Sequence, residues 1–256
     1  MSPRRVIVTR PAHEASRWVD DLRGAGVDAV ALPLIEIASL GDRKPVEEAW
    51  QRIAGYDALM FVSAAAATHF FRGASVDAAA HCRCWATGPG TVRGLREAGV
   101  PASSIDAPAA DAVQFDSEAL WALVRSQVRP GVRVLIVRGG DAAGQAVGRE
   151  WLAREIAEAG ATCDAVAAYR RLAPAIGELE RRVMAQAVDG SAIWLFSSSE
   201  AIANLRALAP AVDWRAAGAL VTHERISQAA RAAGFGRVRV SSPSLSSLVA
   251  SIESFA

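Results

Sequence analysis

The chain has 256 residues, 52% hydrophobic and 21% charged, which is ample apolar material for one large or two compact folded cores. Its 28 Lys and Arg against 27 Asp and Glu leave a formal net charge of +1, which excludes a general nucleic-acid binder. An anionic ligand therefore has to be met by local arginines and helix ends.

The first elements lie in "VIVTRPAHEASRWVDDLRGAGVDAVALPLIEI", residues 6–37, which reads as strand, turn, amphipathic helix, strand. The first turn is Thr9-Arg10-Pro11, without the glycine that a phosphate-cradling loop requires. Strands are expected at 5–9, 28–33, 57–62, 82–87, 132–137, 162–167, 191–196, 217–222 and 237–240. Helical patterns such as "GTVRGLREAGV", "REWLAREIAEAGA" and "RISQAARAAGF" fall between them. Gly26, Gly99, Gly160 and Gly234 each stand where a helix ends before the next strand, as left-handed C-caps. Alternation of strand and helix implies parallel sheets covered on both faces.

The chain also repeats itself at an offset near 130 residues. "MFVSAAAATHFF" (60–71) matches "LFSSSEAIANLR" (195–206), "ATGPGTVRGLREAGV" (86–100) matches "LVTHERISQAARAAGF" (220–235), and residues 6–33 match 134–166. Two similar domains follow. Because residues 33–40 and 165–174 both read as extended exits, the second domain is placed as an insertion. The expected division is 1–35 with 173–256 for the first domain, 41–165 for the second, and 36–40 with 166–172 as antiparallel linker strands. The expected class is α/β, two flavodoxin-like domains of about five parallel strands each joined by that two-stranded linker.

Three cysteines, Cys82, Cys84 and Cys163, form an odd, sparse set that suits buried reduced thiols; "CRC" has no second Cys or His pair at metal-finger spacing. His13, His69, His81 and His223 show no metal-ligand spacing either. No apolar run reaches the length of a membrane span, and the one behind "MSPRR" is too short for a secretory signal. The expectation is a cytoplasmic protein without metal.

Arg10 and Arg138 close equivalent strands, one per domain, where α/β sheets bind ligands; each suits a carboxylate, or the neutralisation of an acidic helix cap. Gly139 and Gly140 after Arg138 permit close backbone approach. Ser63, Ser197, Ser198 and Ser199 sit at strand-to-helix turns, as N-caps and as candidate anion contacts. No His–Asp arrangement supports a serine nucleophile. Arg170 and Arg171 read as a solvated linker face.

Taken in order, "VTRP" (8–11), "PLIEI" (33–37), "FVSAAA" (61–66), "ATGPGTVRGLREAGV" (86–100), "LIVRGG" (135–140), "AAYRRL" (167–172), "WLFSSSEAI" (194–202) and "VTHERISQAARAAGF" (221–235) resemble the uroporphyrinogen-III synthase family over nearly the whole chain. The resemblance implies a cofactor-free, cytoplasmic, monomeric lyase with its substrate in a cleft between two domains. That substrate is hydroxymethylbilane, a linear tetrapyrrole closed with inversion of ring D. A transient contact with hydroxymethylbilane synthase is a further implication.

By the same resemblance Thr91 matches a family threonine near the substrate, behind the Gly88 turn, and Tyr169 lies beside the cleft as the candidate general acid. Thr222 and Arg225 belong to the second domain's equivalent turn, "THER", which departs from the glycine–proline–threonine stretch of some members. There Arg225, or His223, stands as the charge contact. The substrate-binding set expected is Arg10, Ser63, Gly88, Arg138, Gly139, Ser197, Ser198, Thr222 and Arg225, with Tyr169 and Thr91 as catalytic residues. The rival reading is a non-enzymatic two-domain protein that binds a small ligand.

Overall fold

The computed structural model describes residues 5–109, 112, 114–148 and 150–255. The chain forms two compact units. One runs to Glu36 and resumes at Leu172, and the other is Ile37–Arg171.

Three elements open the first unit: β1 (Arg5–Val8), α1 (Ala12–Gly24) and β2 (Ala29–Ala31). The second unit follows with β3 (Glu36–Ser39), α2 (Lys44–Gln51), β4 (Ala58–Phe61), α3 (Ala64–Phe71), β5 (Arg83–Ala86) and α4 (Pro89–Glu97). It continues through β6 (Ile105–Asp106), α5 (Ser117–Val124), β7 (Arg133–Gly140), α6 (Trp151–Glu158) and β8 (Thr162–Leu172). The chain then completes the first unit with α7 (Glu178–Gln186), β9 (Ala192–Phe196), α8 (Ser199–Leu208), β10 (Gly218–Val221), α9 (Glu224–Ala232), β11 (Arg237–Val240) and α10 (Leu245–Glu253). No described helix is long and apolar enough to cross a membrane.

The first unit's sheet has the order β11-β10-β9-β1-β2, with parallel pairing throughout. Counted along the chain this is 2-1-3-4-5, the flavodoxin-like order. The second sheet runs β3-β8-β7-β4-β5-β6. The sequence repeats equate β7 with β1, β8 with β2, β4 with β9, and β5 with β10. Under that equivalence the second sheet has the same spatial order, with β6 in the place of β11. Its chain order is circularly permuted, because this unit starts at its third strand.

Each face of the sheets is apolar, as strands buried on both sides require. Along β4 and β7 the burial alternates between two clusters. Leu59, Phe61, Leu135 and Val137 pack with Phe70 and Phe71 on one face. Ala58, Met60, Val134 and Ile136 pack with Leu152 and Ile156 on the other. In the first unit Val6, Val8, Ile193 and Leu195 meet Ala15, Val19 and Leu22 of α1. Trp194 and Phe196 instead join Trp214 and Phe235 in an aromatic cluster with centroids 5.3–6.5 Å apart.

The expected C-cap glycines take left-handed φ of 82°, 95°, 81° and 97° at Gly26, Gly99, Gly160 and Gly234. Two differences from the sequence reading matter for the site. First, β6 is a two-residue edge strand, too short to show a period of two. Second, β7 does not end before Arg138. A bulge between Arg138 and Gly139 keeps the pairing with β8 alive to Gly140, which also bridges to Ala146.

Helices α3 and α4 lie close because Gly94 has no side chain. A Cβ there would fall 2.9 Å from Ala64 Cα and 3.1 Å from Ala64 O. Gly94→Ala should therefore destabilise the protein by about 1–3 kcal/mol in urea unfolding. Gly24, whose Cβ would meet nothing within 4 Å, provides the control. Gly24→Ala should be neutral or stabilising by up to about 1 kcal/mol.

Candidate active site

The second unit gathers several of the expected residues at the carboxyl ends of β4, β5, β7 and β8. Ser63 is extended (φ −163°, ψ 164°) and caps α3, its Oγ accepting from the Ala66 N–H at 3.1 Å. That same Oγ lies 3.1 Å from the Tyr169 hydroxyl. Tyr169 stands near the end of β8, opposite Gly139 in the register, and is 4% exposed. Its ring fills the space above Gly139: a Cβ there would come within 2.7 Å of Tyr169 Cζ and 2.9 Å of its hydroxyl oxygen. The close approach that Gly139 permits on this side is thus to an aromatic ring of the protein.

The neighbouring turn is tied to the same place. Thr87 Oγ1 donates to the Val62 carbonyl at 3.3 Å, one residue before Ser63, and lies 3.4 Å from Thr91 Oγ1. Thr91 is buried in the first turn of α4, its N–H donating to the Gly88 carbonyl. Gly88 itself is extended (φ 177°), and a Cβ on it would meet the Phe115 side chain at 3.0 Å. Gly88 thus provides room for Phe115.

Arg138 was expected at a strand end, facing a ligand crevice. The bulged continuation of β7 instead places it inside the strand. It is 4% exposed, with Nη1 3.3 Å from Oε1 of the exposed Glu150. Its Nε is buried without a hydrogen-bond partner. Gly140 packs against the backbone of Gly144 and Gln145, so "RGG" is a strand end rather than a phosphate loop.

The first unit holds the remaining candidates. Arg10 is engaged by its own helix: Nη1 bonds Glu14 Oε2 at 2.9 Å, and the guanidinium lies 4.8 Å from the Trp18 ring centroid. Ser198 caps α8 by accepting from the Glu200 N–H at 3.2 Å, as Ser63 caps α3, and Ser197 precedes it half-buried. Ser199 Oγ is buried without a partner. The Thr222 N–H donates to the Phe196 carbonyl. His223, rather than a hydroxyl, caps α9, its Nδ1 accepting from the exposed Arg225 N–H at 3.0 Å.

From the sequence, His69 has no role beyond failing as a metal ligand. In the fold its ring centroid lies 5.7 Å from that of Tyr169, and its Nδ1 is buried without a partner. Burial lowers its pKa from 6.5, and the charges of Arg72 and Arg43 push the same way. A histidine two turns along a helix from the capping serine carries no signal until the tyrosine's position is known. Burial also raises the Cys82, Cys84 and Cys163 thiols to about 11, 12 and 11, which keeps them protonated and unreactive.

A family model described as uroporphyrinogen-III synthase HemD matches residues 16–250. Among solved structures, a mutant uroporphyrinogen III synthase from the extremely thermophilic bacterium Thermus thermophilus is 17% identical, with 97% of each chain covered and a TM-score of 0.57. The uroporphyrinogen-III synthetase of Helicobacter pylori is 14% identical over 99% of this chain and 100% of its own, with a TM-score of 0.56. At such identities the structural likeness speaks for the fold, and the family match speaks for the lineage.

The depressed His69 pKa has a stability consequence of definite sign. Below pH 6.5 the unfolded chain binds this proton more readily than the folded one, so acid favours unfolding. The His69 contribution is fully present above pH 6.5 and is lost as pH falls below it. Urea unfolding from about pH 7.5 to about pH 5.5 should therefore cost the wild type more stability than His69→Gln. Parallel pH dependences would show that His69 titrates alike in both states.

Proposed function

Since the chain belongs to the uroporphyrinogen-III synthase family, we propose that it closes hydroxymethylbilane to uroporphyrinogen III, with loss of water and inversion of ring D. The reaction starts when the hydroxyl on the ring A hydroxymethyl carbon leaves, pushed by the pyrrole nitrogen, to give an azafulvene. The substituted carbon of ring D attacks that carbon and forms a spiro centre. Fragmentation and reclosure then attach ring D in the reversed sense. The sequence of steps is redox-neutral and needs only proton transfers and enforced geometry.

The observation that carries this reading at residue level is the 3.1 Å contact between Tyr169 and Ser63 at the start of α3. A hydroxyl leaves poorly as hydroxide, and a phenol positioned as hydrogen-bond donor lowers that barrier. Ser63 is itself fixed by the Ala66 N–H, so the pair offers a hydroxyl with little freedom left to lose. In this reading Tyr169 donates to the departing oxygen, and Thr91, beside Gly88, lines the same strand ends.

The acetate and propionate groups need anion contacts. In the second unit the amides around Ser63 suit that task, and Arg138 does so through Nη1, the atom that reaches Glu150. In the first unit the turns holding Arg10, Ser197, Ser198, Thr222 and Arg225 do. The Glu14 partner of Arg10 and the Glu150 partner of Arg138 would then be exchanged for, or shared with, a substrate carboxylate.

Tyr169→Phe tests the central role, since it keeps the ring over Gly139 and removes only the hydroxyl. Type III formation should fall roughly 10- to 1,000-fold, with water partly substituting for the phenol. The assay must resolve isomers, because uncatalysed closure gives the type I product. A type III rate within about twofold of wild type, well short of that range, would leave Tyr169 as a packing residue. Type I product alone from the wild type would remove the synthase reading altogether.

A further inference from the structure

Two arginines of the second unit meet at one serine at the end of β3, and a third reaches the backbone of one of them. Arg72 Nη1 donates to Ser39 Oγ at 3.3 Å, and Arg170 Nε donates to the Ser39 carbonyl at 3.1 Å. Arg43 Nη2 donates to the Arg72 carbonyl at 3.0 Å, and Arg170 Nη1 to the Ala142 carbonyl at 3.3 Å. None of the three is paired with a carboxylate among the described residues. Two acidic groups beside these contacts, Asp42 next to Arg43 and Asp141 next to Ala142, are turned to their own loops. Asp42 accepts from the Lys44 N–H, and Asp141 accepts from the N–H groups of Ala143 and Gln145.

The charges of Arg72 and Arg43 both reach His69, whose pKa they help burial to lower. Each guanidinium has five N–H donors in a planar fork, of which only one or two are used here. A planar oxyanion would take up several of the remaining donors at once and supply the counter-charge that the neighbouring side chains do not.

Resting on the synthase reading above, we infer that Arg43, Arg72 and Arg170, gathered around Ser39 and the Arg72 backbone, form a subsite for carboxylates of a small polycarboxylate, here the acetate and propionate groups of the linear tetrapyrrole. The placement suits that role. His69 adjoins the Tyr169 ring and lies in the field of Arg72 and Arg43. The subsite acts by holding substrate and takes no part in bond making. Arg170, which reads in the sequence as a solvated linker residue, becomes a binding residue.

The test has two arms. In the first, citrate is titrated into the wild-type protein while the arginine Nε–H and His69 ring signals are followed by NMR. Saturable shifts at Arg72 and Arg170, with a rise in the His69 pKa as the cluster is neutralised, support the subsite; flat signals overturn it. In the second, Arg72→Gln/Arg170→Gln is assayed with hydroxymethylbilane. Glutamine keeps a donor for Ser39 and removes the charge. Loss of charge-assisted contacts should raise KM roughly tenfold or more with kcat nearly unchanged, while the exposed Arg129→Gln leaves KM unaltered. An unchanged KM in the double variant, or an equal rise in Arg129→Gln, overturns a specific site. Should the wild type make no type III product, the synthase reading fails, and the citrate arm alone decides whether the arginines bind carboxylates.

Discussion

Tyr169 occupies the volume that any side chain on Gly139 would fill. The two residues are paired across β7 and β8, where same-face side chains normally stand side by side. Removing one of them lets the phenol ring lie flat against the strand and brings its hydroxyl to Ser63. The bulge at Arg138 and Gly139 sets which residue faces the ring. Around this contact, Gly94 admits the first turn of α3, and Thr87 ties the α4 turn to Val62. Two glycine positions, one threonine hydrogen bond and one strand irregularity thus fix a hydroxyl pair to within a hydrogen bond.

The two sheets share one spatial order, and the second unit adds the candidate site to it. In both sheets the carboxyl ends of the strands carry strand-to-helix turns that place helix N-terminal amides at one edge. Ser63 and Ser198 cap equivalent helices, one accepting from the N–H three residues on and the other from the N–H two residues on. The two turns after β5 and β10 diverge: one has a glycine cap, the other a histidine. Only the second unit adds a long eleven-residue strand whose far end brings a tyrosine beside the capping serine. In the proposed reading the shared architecture supplies anion contacts, and the extension of β8 supplies the candidate chemistry.

Much of this was legible in the sequence because it depends on local pattern. Strands buried on both faces wrote themselves as continuous apolar runs, and left-handed C-caps as glycines before them. The 130-residue repeat carried the equivalence of β1 with β7 and β4 with β9. The misses have physical reasons. A bulge leaves no composition signal, so Arg138 looked like a strand terminus when it is buried within one. Gly88 and Gly139 looked like room for a ligand, whereas Phe115 and Tyr169, distant in sequence, fill those spaces. Arg10 pairs with Glu14 in the first turn of α1, which agrees with the acidic-cap alternative that its position also offered. Arg43, Arg72 and Arg170 are separated by 29 and 98 positions, so only the fold brings Arg72 and Arg170 to Ser39 and Arg43 to the Arg72 backbone.

The central claim is that Ser63 serves the reaction through the Tyr169 hydroxyl, and a double-mutant cycle on the rate of type III formation measures that coupling. Ser63→Ala also removes a helix cap, so its effect is compared in two backgrounds, wild type and Tyr169→Phe, at saturating substrate. If the two hydroxyls work as a unit, Ser63→Ala slows the wild type but has little further effect once the phenol is gone, a coupling of about 1 kcal/mol or more. If Ser63→Ala slows both backgrounds by the same factor, the two residues act independently, and the contact between them is packing rather than catalysis.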